Sequence, residues 1–471
     1  MIRKLVFALF ATLALSGAAQ ALEPPKDPYF TGKGDWGQKF DDMWGFHAVG
    51  LTAGADSAWR LLPKRLAPIT IAVVDTGLDW NHLDMSWNNI WKNPREIPDN
   101  GKDDDGNGYI DDVIGWDFFA HNNKPWDHDG HGTFVTGIIA ATWNNRVGMA
   151  GVNPSARIMV VKGLNAFGNT RASYMAEGIV YAADNGAKII NVSIGGKGLT
   201  TIQTEAVKYA ASKGALIVVA AGNDGVELKN YGITGMDEVI TVGATGHNGL
   251  RAPFSNWGQA VDIVAPGLDI LSLRARYTDT LRDIPGATYK AGGAYVGKDK
   301  RYYVAGGTSF SAPLVAGIAS LVWAKNPNLT AAEVKRILLN SARDIGEPGQ
   351  DQFSGYGMVD ARAALQTDKN FFIDAAISGV KVINGPSGPT LEVDGSANAD
   401  ALAEAHLEIG AGEEPSSFTA VGTPLTKGVT KGILGTVDAT AFSGSSVWII
   451  RIVVRHKNGR MREARFRLQL G

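Results

Sequence analysis

"ITIAVVDTG", residues 69–77, is a run of apolar and β-branched residues that ends abruptly at Asp75. A nearly continuous run of this kind, bounded by turn residues, is typical of a strand covered on both faces of a parallel sheet. Four similar runs follow along the chain: Arg157–Val161, Lys188–Ser193, Ala215–Ala220 and Val239–Val242. The pattern predicts a parallel sheet whose first strand is Ile69–Val74.

Helical patterns separate these predicted strands. The segments "ASYMAEGIVYAADNG" (172–186) and "TIQTEAVKYAASKG" (201–214) have helical spacing, and each ends at a glycine. The alternation predicts an α/β domain with a doubly wound, mostly parallel sheet and helices on both faces. In such sheets ligands bind beyond the carboxyl ends of the strands, so the functional residues are expected there.

Composition limits the classes of protein and site that the chain can represent. Its 471 residues, 45% hydrophobic and 20% charged, indicate an ordinary globular protein of two or three domains. A net charge of −2 gives no electrostatic reason to bind nucleic acid or an anionic membrane. The absence of cysteine excludes disulfides, thiolate metal sites and a cysteine nucleophile.

Both ends of the chain differ from the α/β region. Arg3 and Lys4 precede a short apolar stretch, and small residues follow up to Ala21, which predicts an export signal over 1–21. An N-terminal extension is expected over 22–43 and the main domain over 44–367. After it, 368–471 loses helical periodicity and predicts a small all-β, sandwich-like domain closed by a hairpin at Asn458-Gly459. The mature protein is expected to be extracellular or periplasmic, without a membrane span.

Four chemically active side chains fall at ends of the predicted strands or starts of helices. Asp75 ends a strand, Asn223 follows "ALIVVA", His131 begins an apolar helical run, and Ser309 begins another. An alcohol becomes a nucleophile when a base removes its proton, and imidazole is suited to that at neutral pH. A buried carboxylate orients the imidazole, and a carboxamide can donate a hydrogen bond to an oxyanion.

The motifs that carry these residues resemble the signature blocks of the subtilisin-like serine proteases. They are "VVDTGLDWNH" (73–82), "DGHGTFVTG" (129–137), "VVAAGN" (218–223) and "GGTSFSAP" (306–313), in that family's order. The resemblance, which spans about residues 44–365, implies that Asp75 orients His131, which acts as general base. It also implies that Ser309 is the nucleophile and Asn223 the oxyanion donor.

The same resemblance implies where a substrate lies. One segment is similar to the strand against which the family binds an extended peptide: Ser193, Ile194 and Gly195. A second is similar to one wall of the pocket for the side chain preceding the cleaved bond: Ala221 and Gly222. The segment before "VGA" (242–244) lacks the Pro-Ala that the family often has there, so the preferred side chain is left open. Residues 274–303 are predicted to form a long solvated loop.

Two neighbours compete for the catalytic roles. His128 lies near His131, but it does not directly precede Gly-Thr, so it is interpreted as a solvated turn residue. Ser311 lacks the Gly-Thr approach of Ser309, and we expect it to form hydrogen bonds near the helix N-terminus.

An acidic insert, "DNGKDDDGNGYIDDVIGWDF" (99–118), resembles the start of a calcium-binding loop. Oxygen ligands at alternating positions surround a central glycine, although Ile114 stands where the motif requires glutamate. A solvated loop of Asp and Asn turns is the alternative. Structural Ca²⁺ is favoured because adjacent carboxylates repel one another unless a cation neutralises them. The predicted ligands are Asp103, Asp105, Asn107, Tyr109, Asp111 and Asp112.

Taken together, the patterns favour a secreted serine endopeptidase that cleaves polypeptides through an acyl-enzyme and uses no organic cofactor. The alternative is a catalytically inactive exported binding or adhesion protein that keeps the fold. An α/β-hydrolase esterase fits poorly, because Ser309 lies in G-T-S-F-S and not in G-x-S-x-G.

Overall fold

The computed structural model describes residues 20–229, 231–276, 278, 294–385 and 388–470. Of the predicted export signal, only positions 20 and 21 are among these residues. Most of the predicted loop 274–303 also lies outside them. Part of the predicted N-terminal extension packs on the main domain, where Phe30 is fully buried. The domain boundaries predicted from the sequence remain predictions.

A seven-stranded sheet forms the centre of the main domain, and every pairing in it is parallel. Its spatial order is β2-β3-β1-β4-β5-β6-β7. The strands are β1 Ile69–Asp75, β2 Gly115–Asp117, β3 Ala156–Lys162, β4 Ile189–Val192, β5 Leu216–Ala220, β6 Val239–Thr245 and β7 Ile263–Pro266. The predicted doubly wound α/β fold is confirmed, and each of the five predicted strands is present with no end shifted by more than three residues.

Helices cover both faces of this sheet. They are α1 Pro28–Thr31, α2 Trp44–Ala48, α3 His131–Ala140, α4 Ala172–Asp184, α5 Thr201–Ser212, α6 Thr308–Lys325, α7 Ala331–Ser341 and α8 Ala361–Gln366. Alternate residues of β1 explain the two layers: Ile71 and Val73 pack in the cluster that contains α3 and α6. Ala72 and Val74 pack in the cluster that contains α4 and α5. Burial on both faces is why β1 is nearly continuously apolar.

A small antiparallel sheet of order β8-β10-β9 precedes helix α6. Its strands are β8 Ile270–Leu273, β9 Tyr295–Val296 and β10 Tyr302–Ala305. The last residue of β10 is followed within three residues by the first residue of α6. β9 and the start of β10 fall within the predicted solvated loop 274–303, and Tyr302 and Tyr303 are buried, so that prediction is wrong for these residues.

The C-terminal region consists of two antiparallel sheets, of orders β11-β12-β15 and β14-β13-β16-β17. Their strands are β11 Ile373–Gly385, β12 Gly388–Ala399, β13 Leu402–Ala411, β14 Thr419–Leu425, β15 Val429–Asp438, β16 Val447–His456 and β17 Met461–Gln469. One apolar cluster joins both sheets, with Leu391 and Val393 from one and Ile450 and Ile452 from the other. The predicted sandwich-like architecture and its closing hairpin are confirmed.

The order of the central strands identifies where functional side chains meet. The chain moves from β1 to one side for β2 and β3, and then to the other side for β4 to β7. This reversal opens a crevice at the carboxyl ends of β1 and β4, the usual position of ligands in such sheets. Among the described residues, no helix is long and apolar enough to cross a membrane.

Candidate active site

A carboxylate and an imidazole meet at the carboxyl end of β1. Asp75, the last residue of that strand, is fully buried, and its two oxygens lie 2.8 and 3.0 Å from Nδ1 of His131. The backbone N–H of Thr76 donates to the same carboxylate at 2.7 Å. A buried anion held on Nδ1 favours the tautomer in which Nδ1 carries the proton, because only then does the nitrogen donate. Nε2 is thereby left free to act as a base.

A second buried carboxylate orders the turn that places His131 at the start of α3. Asp127 is fully buried and accepts hydrogen bonds from Thr76 Oγ1 at 2.9 Å, Thr133 Oγ1 at 2.7 Å and the Gly130 N–H at 2.7 Å. Gly130 has a φ of 108°, a left-handed conformation that glycine adopts without a steric cost. The left-handed turn therefore explains the glycine directly before His131.

The charges around His131 set its proton affinity. Burial of the ring lowers the pKa, but the Asp75 carboxylate, with smaller contributions from Asp129 and Asp127, raises it. The net result is a pKa above the ordinary 6.5 of histidine. The protonated ring is therefore stabilised, as a general base requires when it has accepted a proton.

The hydroxyl of Ser309 lies at the second residue of α6. Its Oγ donates to the Ser193 carbonyl oxygen at 3.0 Å, and the Ser193 hydroxyl donates to the Ser309 carbonyl oxygen at 2.9 Å. These reciprocal bonds join the first residue after β4 to the start of α6. Because a hydroxyl has one hydrogen, Ser309 does not also donate to His131 in this conformation.

The carboxamide of Asn223 faces the same helix start. Its Oδ1 accepts from the Thr308 N–H at 2.8 Å and from the Thr308 hydroxyl at 2.9 Å. A backbone N–H can only donate, so the atom that faces it must be the amide oxygen, and Nδ2 must point to the opposite side. A methyl group added to Gly307 would lie 3.3 Å from that Nδ2. The donor thus lies beside Gly307, two residues before Ser309.

The structure brings these predicted catalytic residues into one cleft. The Phe310 ring, next to Ser309 in the chain, lies 5.5 Å from the His131 ring between centroids. Asp75 and His131 are hydrogen-bonded, and Asn223 is bonded to the residue before Ser309. The hydrogen bond that would complete the catalytic chain, from Ser309 to His131, is replaced here by the one to Ser193.

Neither competing residue replaces a catalytic candidate, but only His128 takes the structural position expected of it. His128 is exposed. Ser311 is fully buried inside α6, and its hydroxyl donates to the Ala265 and Pro266 carbonyl oxygens at 3.0 and 3.2 Å. Its partners are thus the end of β7 and not the helix N-terminus, because the turn of α6 directs it toward the sheet.

The predicted substrate segments contact the start of α6. Burial decreases from Ser193 through Ile194 to Gly195, which is exposed, so this segment leads from the end of β4 to the protein surface. Ala221 is buried, and the N–H of Gly222 donates to the Thr308 hydroxyl at 2.9 Å. Both segments therefore contact the start of α6, one at Ser309 and the other at Thr308.

The acidic insert and Glu96, which precedes it, bring three carboxylates together, two of them predicted as ligands. One oxygen each of Asp105, Asp112 and Glu96 lies within 4.8 Å of the others. The Asn93 amide donates to Asp105 at 3.1 Å and to Asp112 at 2.8 Å, and the Asn107 amide donates to Asp112 at 3.1 Å. These amides hold the acidic groups together.

The charge of this cluster is only partly balanced within the described residues. Arg95 forms an ion pair with Asp105 at 3.0 Å, so three carboxylates face one guanidinium. Glu96 is buried, and its Oε2 has no hydrogen-bond partner among the described residues. Burial raises the pKa of Asp112. An orphaned carboxylate oxygen among oxygen donors fits a hard divalent cation such as Ca²⁺.

The other predicted ligands make different contacts. Asp103 accepts from the Gly108 N–H at 2.7 Å, and Asp111 accepts from the Gly101 N–H at 2.9 Å. The Tyr109 N–H donates to the Asn107 side chain at 2.8 Å, and its ring packs on other aromatic rings. Asp103 and Asp111 thus order the backbone of the loop, the role proposed by the solvated-loop alternative.

Three residues of these sites were missed from the sequence: Glu96, Asp127 and Tyr231. Glu96 lies before the acidic motif, and no spacing rule connects it to Asp112. Asp127 could have been found in "WDHDGHG", because Gly130 has no side chain with which to cap the helix that follows. A nearby carboxylate can accept from the free N–H groups instead. The ring of Tyr231 packs against Gly195 and Gly222. Nothing in the sequence predicted this contact, except that Tyr231 lies in the segment before residue 242 that lacks the family's Pro-Ala.

Comparisons with known proteins are consistent with this geometry. The model of the Subtilase family (Peptidase_S8) matches residues 67–357. A thermophilic serine proteinase of Bacillus sp. (strain AK1) is 34% identical over 310 residues, 66% of this chain and 64% of that protein. Thermitase of Thermoactinomyces vulgaris is 32% identical over 342 residues, 73% of this chain and 99% of that protein. A solved protease structure from Pseudoalteromonas arctica PAMC 21717 is 27% identical, covers 73% of this chain and 99% of its own, and has a TM-score of 0.54.

Proposed function

The chain belongs to the subtilase family of serine endopeptidases, and we propose that it is exported and hydrolyses polypeptides with Asp75, His131 and Ser309. The observation that carries the proposal is the buried Asp75 carboxylate, which holds His131 Nδ1 at 2.8 Å beside the start of α6. A binding scaffold has no need for a charged carboxylate buried against an imidazole, because burying that charge is costly.

The first half of the reaction forms an acyl-enzyme. His131 Nε2 takes the proton of the Ser309 hydroxyl while Oγ forms a bond to the substrate carbonyl carbon. The carbonyl oxygen becomes an oxyanion, which accepts from Asn223 Nδ2 and from the Ser309 N–H in the first turn of α6. His131 then transfers its proton to the nitrogen of the scissile bond, and that bond breaks to release an amine.

The second half regenerates the enzyme. Water attacks the acyl carbonyl carbon, and His131 removes the proton of that water. The bond from the carbonyl carbon to Ser309 Oγ breaks, and His131 returns the proton to Oγ. The reaction consumes one water and yields a carboxylate and an amine, so no cofactor is required. The Asp75 charge stabilises the protonated His131 at both stages without itself accepting the proton.

The resting hydrogen bond from Ser309 to Ser193 must break before attack. Rotation about the Ser309 Cα–Cβ bond moves Oγ between staggered positions without moving the backbone. This bond is the one observation that favours the alternative, an inactive exported binding protein, because it directs the hydroxyl away from the base.

Labelling with a fluorophosphonate probe tests the two functions. An active serine hydrolase forms a covalent bond to the probe through its nucleophile, and we expect wild-type protein to label. Ser309→Ala should abolish labelling. Ser311→Ala is the matched control, because that hydroxyl is two residues away and directed at β7, and it should retain labelling. Unlabelled wild type would favour the binding protein.

We also propose that the acidic insert holds a structural Ca²⁺ through Glu96, Asp105 and Asp112. The ion would supply positive charge that offsets the carboxylates not balanced by Arg95. The support is the orphaned Glu96 oxygen and the grouping of the three carboxylates. The Asn93 and Asn107 amides would orient the carboxylates toward it.

The export proposal depends on residues 1–21, of which only 20 and 21 are described. Its support is the charged start, the apolar stretch and the small residues before position 22. N-terminal sequencing of protein recovered outside the producing cell should begin at Leu22. An intact N-terminus on cell-associated protein would contradict it.

A further inference from the structure

A tyrosine ring occupies the space between the two segments that flank the nucleophile. A methyl group added to Gly195 would lie 2.7 Å from Cε1 of Tyr231. A methyl group added to Gly222 would lie 2.6 Å from the same Cε1 atom and 2.6 Å from the Tyr231 Oη. Real Cβ atoms do not approach other heavy atoms so closely, so one edge of the ring touches both glycines.

The ring is held in place from both ends. The Tyr231 hydroxyl donates to Asp224 at 2.9 Å, and its backbone forms an antiparallel bridge with Lys197. The residue is 9% exposed. The hydroxyl anchor belongs to the segment of Gly222, and the backbone anchor belongs to the segment of Gly195. Displacing the ring would therefore break contacts on both sides of the cleft.

The chemistry defines which part of a substrate meets this ring. His131 donates a proton to the leaving amine, so the leaving group lies on the His131 side of Ser309. The residue whose carbonyl is attacked extends to the other side. There the Ser193 carbonyl contacts Ser309 Oγ at 3.0 Å, and the Gly222 N–H contacts the Thr308 hydroxyl at 2.9 Å. The side chain of the attacked residue must enter between these two segments.

We propose that Tyr231 is a specificity-determining residue that limits the attacked residue to glycine, alanine or serine. Its ring fills the space that a larger side chain would need, and its anchors resist displacement. This inference rests on the proposed function and extends it to the class of substrate. The preferred substrate side chain, which the sequence leaves open because the segment before residue 242 lacks Pro-Ala, would then be a small one.

The test compares peptide p-nitroanilides that differ only in the attacked residue, Gly, Ala, Leu or Phe. Enzyme concentrations are normalised by titration with the fluorophosphonate probe. For wild type we expect kcat/KM for the Ala peptide to exceed that for the Phe peptide by at least about tenfold. Tyr231→Gly should raise kcat/KM for Phe relative to Ala by about tenfold or more. Tyr231→Phe keeps the ring but loses its hydrogen bond to Asp224, so it should change the ratio less than Tyr231→Gly does.

The outcomes separate the two proposals. Wild type that labels with the probe but cleaves the Phe peptide better than the Ala peptide overturns the role of Tyr231 and leaves the protease function intact. A Tyr231→Gly variant that labels normally but keeps the wild-type ratio also overturns the role of Tyr231 and leaves the protease function intact. Wild type that does not label overturns the proposed function, and the role of Tyr231 with it. If Tyr231→Gly does not fold, the wild-type ratio alone decides.

Discussion

The Ser309 hydroxyl donates its hydrogen to the Ser193 carbonyl oxygen, 3.0 Å away, while the Ser193 hydroxyl donates to the Ser309 carbonyl oxygen. The nucleophile is therefore hydrogen-bonded to the segment predicted to bind the substrate. A peptide that enters along this segment competes for the same polar groups. Under the proposed function, this contact would couple substrate binding to release of the Ser309 hydroxyl toward His131.

Removing the nucleophile should abolish turnover and leave the fold intact. Ser309→Ala is expected to lower kcat by about a millionfold, the scale known for subtilisin and carried over from it. The lost hydrogen bond to Ser193 should cost only about 1 kcal/mol of stability. Peptide hydrolysis and urea denaturation measure the two effects. Residual activity within a hundredfold of wild type would mean that another residue is the nucleophile.

Asn223 is expected to act on the transition state. Asn223→Ala should lower kcat by about a hundred- to a thousandfold, the scale known for subtilisin, with little change in KM. Asn223→Asp keeps the oxygen that Thr308 donates to but replaces the Nδ2 donor, so a comparable loss is expected. Thr308→Val tests the positioning contact and should cost less. A change confined to KM would contradict the oxyanion role.

The acid limb of the pH profile should lie above pH 6.5. His131 acts as a base only when neutral, and its pKa is raised by Asp75 against the lowering effect of burial. kcat/KM should therefore fall as the pH drops through that raised pKa. In Asp75→Asn burial remains and the main opposing charge is lost, so the limb should move to lower pH while turnover falls about 10⁴-fold. The pH dependence of kcat/KM measures both, and a limb that stays in place in Asp75→Asn would refute this origin of the shift.

Calcium removal should lower thermal stability. An ion at about 100 times its Kd stabilises the folded state by about 2.7 kcal/mol, so a chelator should lower Tm on the order of 5 °C. Glu96→Gln with Asp105→Asn should abolish the chelator effect. Asp103→Asn is the control, because Asp103 caps backbone N–H groups and its loss should lower Tm equally with and without calcium. Identical melting curves with and without chelator would contradict the proposed Ca²⁺ site.

Asp127 should be a positioning residue for His131. Asp127→Ala leaves the buried Thr133 and Gly130 donors unsatisfied, and we expect a loss of about 3 kcal/mol in the free energy of unfolding. kcat should fall as well, because the turn before α3 loses its order. Asp127→Asn keeps one acceptor oxygen and should lose less of both. Urea denaturation and peptide hydrolysis provide the measurements, and a fully stable Asp127→Ala would refute the role.

Local sequence predicted the elements and the residue types with few errors. Short continuous apolar runs bounded by turn residues favoured strands buried on both faces. A glycine before helically spaced apolar residues indicated the start of α3 at His131. Motifs identified the candidate catalytic side chains, because each motif combines a strand end or a helix start with one characteristic residue type. Loop contacts were harder. Asp103 and Asp111 were expected to bind an ion but contact backbone amides, since Asp and Asn turns and calcium loops share one pattern.

What the sequence by itself determined is the layered α/β architecture, the sandwich-like C-terminal region and the identity of the side chains at the sheet edge. These depend on periodicity and on turn residues, which are local. Only the tertiary structure decided that Glu96 joins Asp105 and Asp112, that Tyr231 stands between Gly195 and Gly222, and that Ser309 faces Ser193. Those contacts join segments far apart in the chain, and they are set by how the strand ends and loops pack, which no local pattern encodes.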